Sequence, residues 1–168
     1  MKNNIEVEIC TFSLESCLNA QQAGASRVEL CSGMYDGGTT PSAAMIRMAR
    51  EKLSIQLYVM IRPRGGDFLY SDLEFEVMKE DIRFAKACRA DGVVLGILNA
   101  DGSVDVQRTR ELVELAAPLK VTFHRAIDMT RNMEEALEGI IEAGCYRVLT
   151  SGGRNTVSEG MEQIKALV

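Results

Sequence analysis

The sequence predicts an α/β fold of the TIM (β/α)8-barrel type, truncated to about six βα units. Three observations predict it. Segments that alternate apolar and polar residues succeed segments of helical spacing in strict order, which implies a parallel sheet. Six such pairs fill 168 residues, about 28 residues each. A glycine that ends a helix just before a strand also recurs. Ala23-Gly24-Ala25-Ser26-Arg27-Val28 is echoed by Ala143-Gly144-Cys145-Tyr146-Arg147-Val148, and more loosely by Ala90-Asp91-Gly92-Val93. Like units suit a barrel. No Gly-x-Gly-x-x-Gly follows the first strand, so a doubly wound dinucleotide fold lacks its fingerprint.

The elements follow in order. Ile5 to Phe12 alternates as a strand, and Ser13 is placed to cap the helix that ends at Ala23-Gly24-Ala25. Arg27 to Cys31 is the second strand. A Gly- and Thr-rich loop from Ser32 leads to Pro41-Ser42, a helix start, and that helix runs to about Leu53. Ile55 to Arg62 is the third strand, followed by the loop Pro63-Arg64-Gly65-Gly66-Asp67-Phe68 and a helix from about Asp72 to Ala90. Gly92 to Leu98 is the fourth strand. Asn99-Ala100-Asp101-Gly102 is turn chemistry, and Val106 to Ala116 is helical. Leu119 to His124 is the fifth strand, and Met133 to Ala143 its helix. Arg147 to Ser151 is the sixth strand, and Val157 to Leu167 the last helix. Residues 1–168 are read as one partial barrel domain.

Composition narrows the function. A net charge of −5 gives no electrostatic footprint for nucleic acid. No apolar run reaches the roughly 18 residues of a membrane span. Met1-Lys2-Asn3-Asn4 leads directly into a strand pattern, so no signal peptide is expected. The five cysteines (Cys10, Cys17, Cys31, Cys88, Cys145) form no C-x-x-C pair. That argues against a disulfide framework and a structural zinc site, and for a reducing cytoplasm.

The strands carry the main anomaly. Parallel strands are ordinarily apolar on both faces. Here one register is apolar and can pack on the helices (Ile5, Val7, Ile9; Val28, Leu30; Ile55, Leu57, Val59, Ile61; Leu119, Val121, Phe123). The other, expected to face the barrel interior, holds Glu6, Glu8, Cys10, Arg27, Glu29, Cys31, Tyr58, Met60, Arg62, Thr122, His124, Arg147 and Ser151. Unpaired buried charges cost several kcal/mol each. Deep members can cancel pairwise, Glu8 and Glu29 against Arg27, Arg62 or Arg147. Cys31, Arg62, His124 and Ser151 stand at strand ends, where barrel enzymes build their sites.

Four motifs in chain order resemble the CutC copper homeostasis family (not the glycyl-radical choline lyase that shares the name). They are Arg27-Val28-Glu29-Leu30-Cys31; Arg62-Pro63-Arg64-Gly65-Gly66-Asp67-Phe68 with Tyr70-Ser71-Asp72; Thr122-Phe123-His124-Arg125-Ala126 with Asp128; and Leu149-Thr150-Ser151-Gly152. The resemblance runs from Ile5 to the last helix. It implies a TIM barrel, a cytoplasmic location and a role in copper handling. The matching positions are Glu8, Glu29, Cys31, Arg62, Arg64, Asp67, His124, Arg125, Asp128 and Ser151. A closed barrel has eight units and about 250 residues. The last two units are therefore expected to be missing, with open sheet edges that favour a homodimer.

Two functions are weighed. The first is Cu(I) binding at the C-terminal mouth, because soft thiolate and thioether ligands select Cu(I). Cys10 and Cys31 are its metal ligands, with Met60 on the next strand. The second is an enzyme acting on a small anionic metabolite, a carboxylate or phosphate. Arg62, Arg64, Asp67, Arg125, Ser151 and Gly152 would bind it, and His124, Glu8, Glu29 and Asp128 would supply acid–base chemistry.

Overall fold

The computed structural model describes residues 5–168, so the reading of Met1 to Asn4 as a direct approach to the first strand lies outside them. Six strands, β1 (Glu8–Thr11), β2 (Arg27–Leu30), β3 (Gln56–Met60), β4 (Gly92–Leu95), β5 (Lys120–Phe123) and β6 (Arg147–Val148), alternate with six α-helices. The helices are α1 (Leu14–Gln22), α2 (Ala43–Lys52), α3 (Asp72–Ala87), α4 (Val106–Ala116), α5 (Met133–Glu142) and α6 (Val157–Leu167). Each helix opens on a side-chain oxygen that accepts a backbone N–H from its own first turn: Ser13, Ser42, Ser71, Asp105, Asn132 and Thr156. These caps satisfy donors that a helix start leaves orphaned. Among the described residues, no helix is long and apolar enough to cross a membrane.

The strands pair in sequence order, β1-β2-β3-β4-β5-β6, all parallel. Flat, six strands at about 4.8 Å spacing would hold the two edges roughly 24 Å apart. Instead Arg147 Nη1 on β6 donates to Glu8 Oε2 on β1 at 3.3 Å. The sheet is therefore curled into a half-barrel whose edge strands face each other across the interior.

The apolar register packs outward as expected. Val28, Leu30, Leu57, Val59, Ile61, Val93, Leu95 and Val121 are buried with Ile46 and Ala49 of α2, Met78 and Ile82 of α3, and Leu112 and Ala116 of α4. A second cluster joins Phe123, Ile127, Ala136 and Ile140. Strand β1 differs: Ile5, Val7 and Ile9 are 85%, 46% and 40% exposed. Their register is apolar, yet no helix covers them among the described residues.

All six strands are shorter than the pattern predicts, and two of them stop for a visible local reason. Regular pairing of β3 stops at Met60 because Arg62 N donates to Thr40 Oγ1 (2.9 Å), diverting the backbone into the following loop. β6 keeps two residues because Ser151 N and Gly153 N donate to the Asp128 carboxylate rather than to a neighbouring strand.

Candidate functional site

The inward residues form layers, and the lowest is an ion-pair network. Arg27, 4% exposed, lies against Glu6 and Glu8, with Nε 3.1 Å from Glu8 Oε2 and Nη1 donating to Gln56 Oε1. Arg147 completes the set on Glu8, and both guanidinium groups sit over the Tyr58 ring at about 5.5 Å. The structure thus places Glu8 at the closed end of the half-barrel, where it neutralises two arginines. That arrangement compensates charges that would otherwise be costly to bury.

One layer up, β1 and β2 bring together a soft cluster. Cys10 pairs in register with Glu29, and Cys31 follows one residue beyond β2. Their sulfur atoms are 3.8 Å apart. Ligand atoms of Cys10, Glu29 and Cys31 all lie within 4.8 Å of one another. Cys31 is fully buried and packs with Tyr58, Met60 and Val94. Gly38, at φ +96°, closes over the group: a Cβ there would lie 3.3 Å from Cys31 Sγ and 3.5 Å from Met60 Cε. The hydrogen bond with Cys31 holds the Cys10 thiol below its ordinary pKa. The same bond and burial push Cys31 up. Burial first, and then Glu8, raise Glu29 to about 7.

The mouth is built by the loop after β3 and the residue after β5. The Arg62–Phe68 segment folds back so that Phe68 contacts two partners. The Arg62 guanidinium is 4.8 Å from its ring centroid, and the His124 ring is 4.9 Å away. Arg62 donates to three backbone carbonyls, those of Asp36 (2.6 Å), Gly38 (2.9 Å) and Gly66 (2.8 Å). His124, 4% exposed, caps the 3₁₀ segment Arg125–Met129, its Nδ1 accepting Ala126 N–H at 3.2 Å. Burial, and secondarily Arg62, lower its pKa to about 3, so the ring is neutral. Cys10, Glu29, Met60, Arg62, Phe68 and His124 share one cavity of about 230 Å³ with Gly37, Arg125 and Leu149.

The remaining predicted residues brace one another. Arg64 Nε donates to Glu74 Oε1 (2.5 Å) and Nη2 to Asp67 Oδ1 (3.0 Å), which locks the loop. Asp128 is the hub of the β5 and β6 loops. It accepts from Arg125 Nε (2.8 Å), Thr150 Oγ1 (2.5 Å), Ser151 N and Gly153 N. Burial pushes its pKa up, but these donors hold it below the ordinary carboxylate value. Arg125 Nη2 also reaches Ser151 Oγ at 2.6 Å. Gly152, at φ +71°, lies against the Gly160 carbonyl, where a side chain has no room.

The structure therefore gathers Cys10, Glu29, Arg62, His124 and Arg125 around one cavity, with Cys31 behind Cys10 at a sulfur–sulfur distance of 3.8 Å. Glu8 stands apart below it; Arg64, Asp67, Ser151 and Gly152 stand apart above and beside it. Phe68, Gly38 and Leu149 are walls that reading the sequence for chemistry did not single out. Their signal was the loop length and glycine content, which give closeness to a site but not its partner.

Comparison with known proteins bears on the family and the fold. A family model described as CutC family matches residues 5–168. A family protein CutC of Chromobacterium violaceum is 56% identical over 154 residues, 92% of this chain and 62% of its own length. A copper homeostasis protein cutC homolog of Mus musculus is 51% identical over 166 residues, 99% of this chain and 61% of its own. The chain thus spans about three fifths of the length of these curated relatives. The crystal structure of a copper homeostasis protein CutC from Streptococcus agalactiae superposes with a TM-score of 0.91 at 36% identity, covering 97% of this chain and 81% of that one.

Proposed function

The chain belongs to the CutC family, and on that premise we propose that it serves copper homeostasis by binding Cu(I) through Cys10 and Cys31. The observation that carries the reading is the 3.8 Å separation of the two sulfur atoms beside Glu29. Metal–thiolate bonds are about 2.3 Å in zinc sites. One ion between two thiolates therefore needs sulfur atoms no more than about 4.6 Å apart, and the pair is already within that span. Thiolates select Cu(I) over harder cations. Binding requires deprotonation, and Cys10 is the thiol disposed to lose its proton first. The Met60 thioether, packed with Cys31, adds soft character to the wall. Glu29 places a carboxyl oxygen within 4.8 Å of both sulfur atoms and would offer a third ligand atom.

A cytoplasmic setting belongs to the same reading. All five cysteines are free thiols, which suits a reducing compartment. Residues 1–168 would then form part of a single barrel domain.

Anaerobic titration with Cu(I) against a competing chelator tests the proposal. One tight site is expected, with affinity reduced at least a hundredfold in Cys31→Ser. Equal affinity in wild type and variant would sink it.

A further inference from the structure

The mouth also holds a buried cation without a counter-ion. Arg62 is 5% exposed, and its guanidinium donates only to neutral carbonyl groups. Arg62 Nε has no partner. The Tyr70 hydroxyl lies near the guanidinium outside hydrogen-bonding geometry, and it is neutral. No carboxylate of the described residues forms an ion pair with Arg62, whereas Arg27, Arg64, Arg125 and Arg147 all have one. A buried charge without compensation is costly, so its persistence points to an anion.

His124 offers a second open donor. Nδ1 accepts Ala126 N–H, so the proton of the neutral ring resides on Nε2. Nε2 is buried and has no partner. Buried polar groups are ordinarily satisfied, and the exceptions ask for an explanation. Phe68 touches both groups, with the Arg62 guanidinium over its face and the His124 ring tilted against it.

We propose that the cavity between Arg62, His124 and Leu149 binds a small monocarboxylate, whose oxygens pair with the Arg62 guanidinium and His124 Nε2–H. The chemistry of the walls sets the class. Met60, Phe68 and Leu149 are apolar and suit a short hydrocarbon stem. The volume of about 230 Å³ is below the roughly 300–1,000 Å³ of sites for drug-sized ligands. Glu29 on the same cavity is a second acid, which works against a dianion. Arg125 lines the rim but is already committed to Asp128. A planar carboxylate matches two open donors, whereas a phosphate dianion would leave oxygens unpaired in a dry site. Cys10 lines one wall of the pocket, but neither sulfur is a partner of the carboxylate, so the proposal does not depend on the copper reading.

His124 is the only histidine in the sequence, so its ring nitrogens give one unambiguous NMR signal. Long-range ¹H–¹⁵N spectra of the 168-residue chain would be followed while propionate is added. Propionamide serves as the uncharged isostere and inorganic phosphate as the rival anion. The free ring is expected as the Nε2–H tautomer. Propionate should shift it saturably, at least tenfold more tightly than propionamide or phosphate. Leu149→Trp, made at a partly exposed wall, should weaken propionate at least tenfold. The titration is run on metal-free protein, so propionate affinity is read apart from any copper site. The proposal is overturned by the absence of a saturable shift in wild type, by propionamide binding as well as propionate, by phosphate binding more tightly, or by a folded Leu149→Trp that binds like wild type. If Leu149→Trp does not fold, the wild-type comparison of acid, amide and phosphate decides alone. Loss of Cu(I) binding with propionate binding intact would count against the copper reading only.

Discussion

Cys10 on β1 and Cys31 just beyond β2 hold their sulfur atoms 3.8 Å apart, although 21 residues separate them in the chain. One is exposed and the other fully buried. Thiol reactivity follows thiolate fraction and access. Cys10 should therefore be alkylated by iodoacetamide before any other cysteine, about tenfold faster than Cys17, which is buried with a raised pKa. One equivalent of Cu(I) should protect it. Peptide mapping by mass spectrometry checks both points, and Cys17 reacting first would contradict them.

His124 makes stability depend on pH. Its folded pKa is about 3, below the ordinary 6.5, because burial and Arg62 disfavour the cation. The unfolded chain takes up this proton below about 6.5, and the folded chain does not until about 3. The neutral ring's contribution is therefore complete above pH 6.5 and is lost as pH falls towards 3. At about 1.4 kcal/mol per pH unit, roughly 2–3 kcal/mol should disappear between pH 7 and pH 4.5. Glu29, raised to about 7, acts in the opposite sense over this range. The readout is thus the difference between wild type and His124→Gln in urea melts. A difference that does not change with pH would refute the assignment.

Gly160 lies inside α6, where alanine would ordinarily add about 1 kcal/mol of stability. Here a Cβ would fall well inside contact distance of the Ser151 carbonyl oxygen. Gly160→Ala should therefore destabilise by about 1–3 kcal/mol, the usual range for overpacking. A thermal melt distinguishes the two signs directly.

Asp128 gathers donors from Arg125, Thr150, Ser151 and Gly153, and its side chain is only 5% exposed. Asp128→Ala leaves several of these unpaired, each worth about 1–3 kcal/mol when buried. A loss of about 3 kcal/mol or more is expected, and Asp128→Asn, which keeps one acceptor oxygen, should lose less. Hydrogen exchange should rise at Ser151 and Gly153 in both variants. Unchanged exchange there would show that the loop is held by something else.

Gly96 packs its backbone against the His124 ring, where a Cβ would stand 2.5 Å from Cε1 and 2.6 Å from Nδ1. Gly96→Ala should displace the ring, break the Nδ1 contact with Ala126 N–H and cost about 1–3 kcal/mol. The His124 ring ¹⁵N shifts check this, and an unmoved tautomer signal would count against it.

Much was determined by the sequence alone. The period-two and helical patterns fix which residues become strands and helices, because the two repeats cannot exchange without burying polar faces. Oxygen side chains such as Ser42 and Asn132 mark helix starts through a local bond, and local bonds are legible locally. The polar inward register was visible too, and with it Cys10, Glu29, Cys31, Arg62 and His124. Tertiary structure alone decided which of these meet. Curling the sheet brings Glu8 to Arg147 across 139 residues and assigns Glu8 to an ion-pair floor rather than to the mouth. Folding the loop after β3 brings Phe68 against both Arg62 and His124, and commits Arg64 to Glu74. Such pairings depend on distances that chain spacing does not encode. For that reason the sequence named the candidates, while the geometry separated the charges that cancel from Arg62, a buried cation with no ion pair among the described residues.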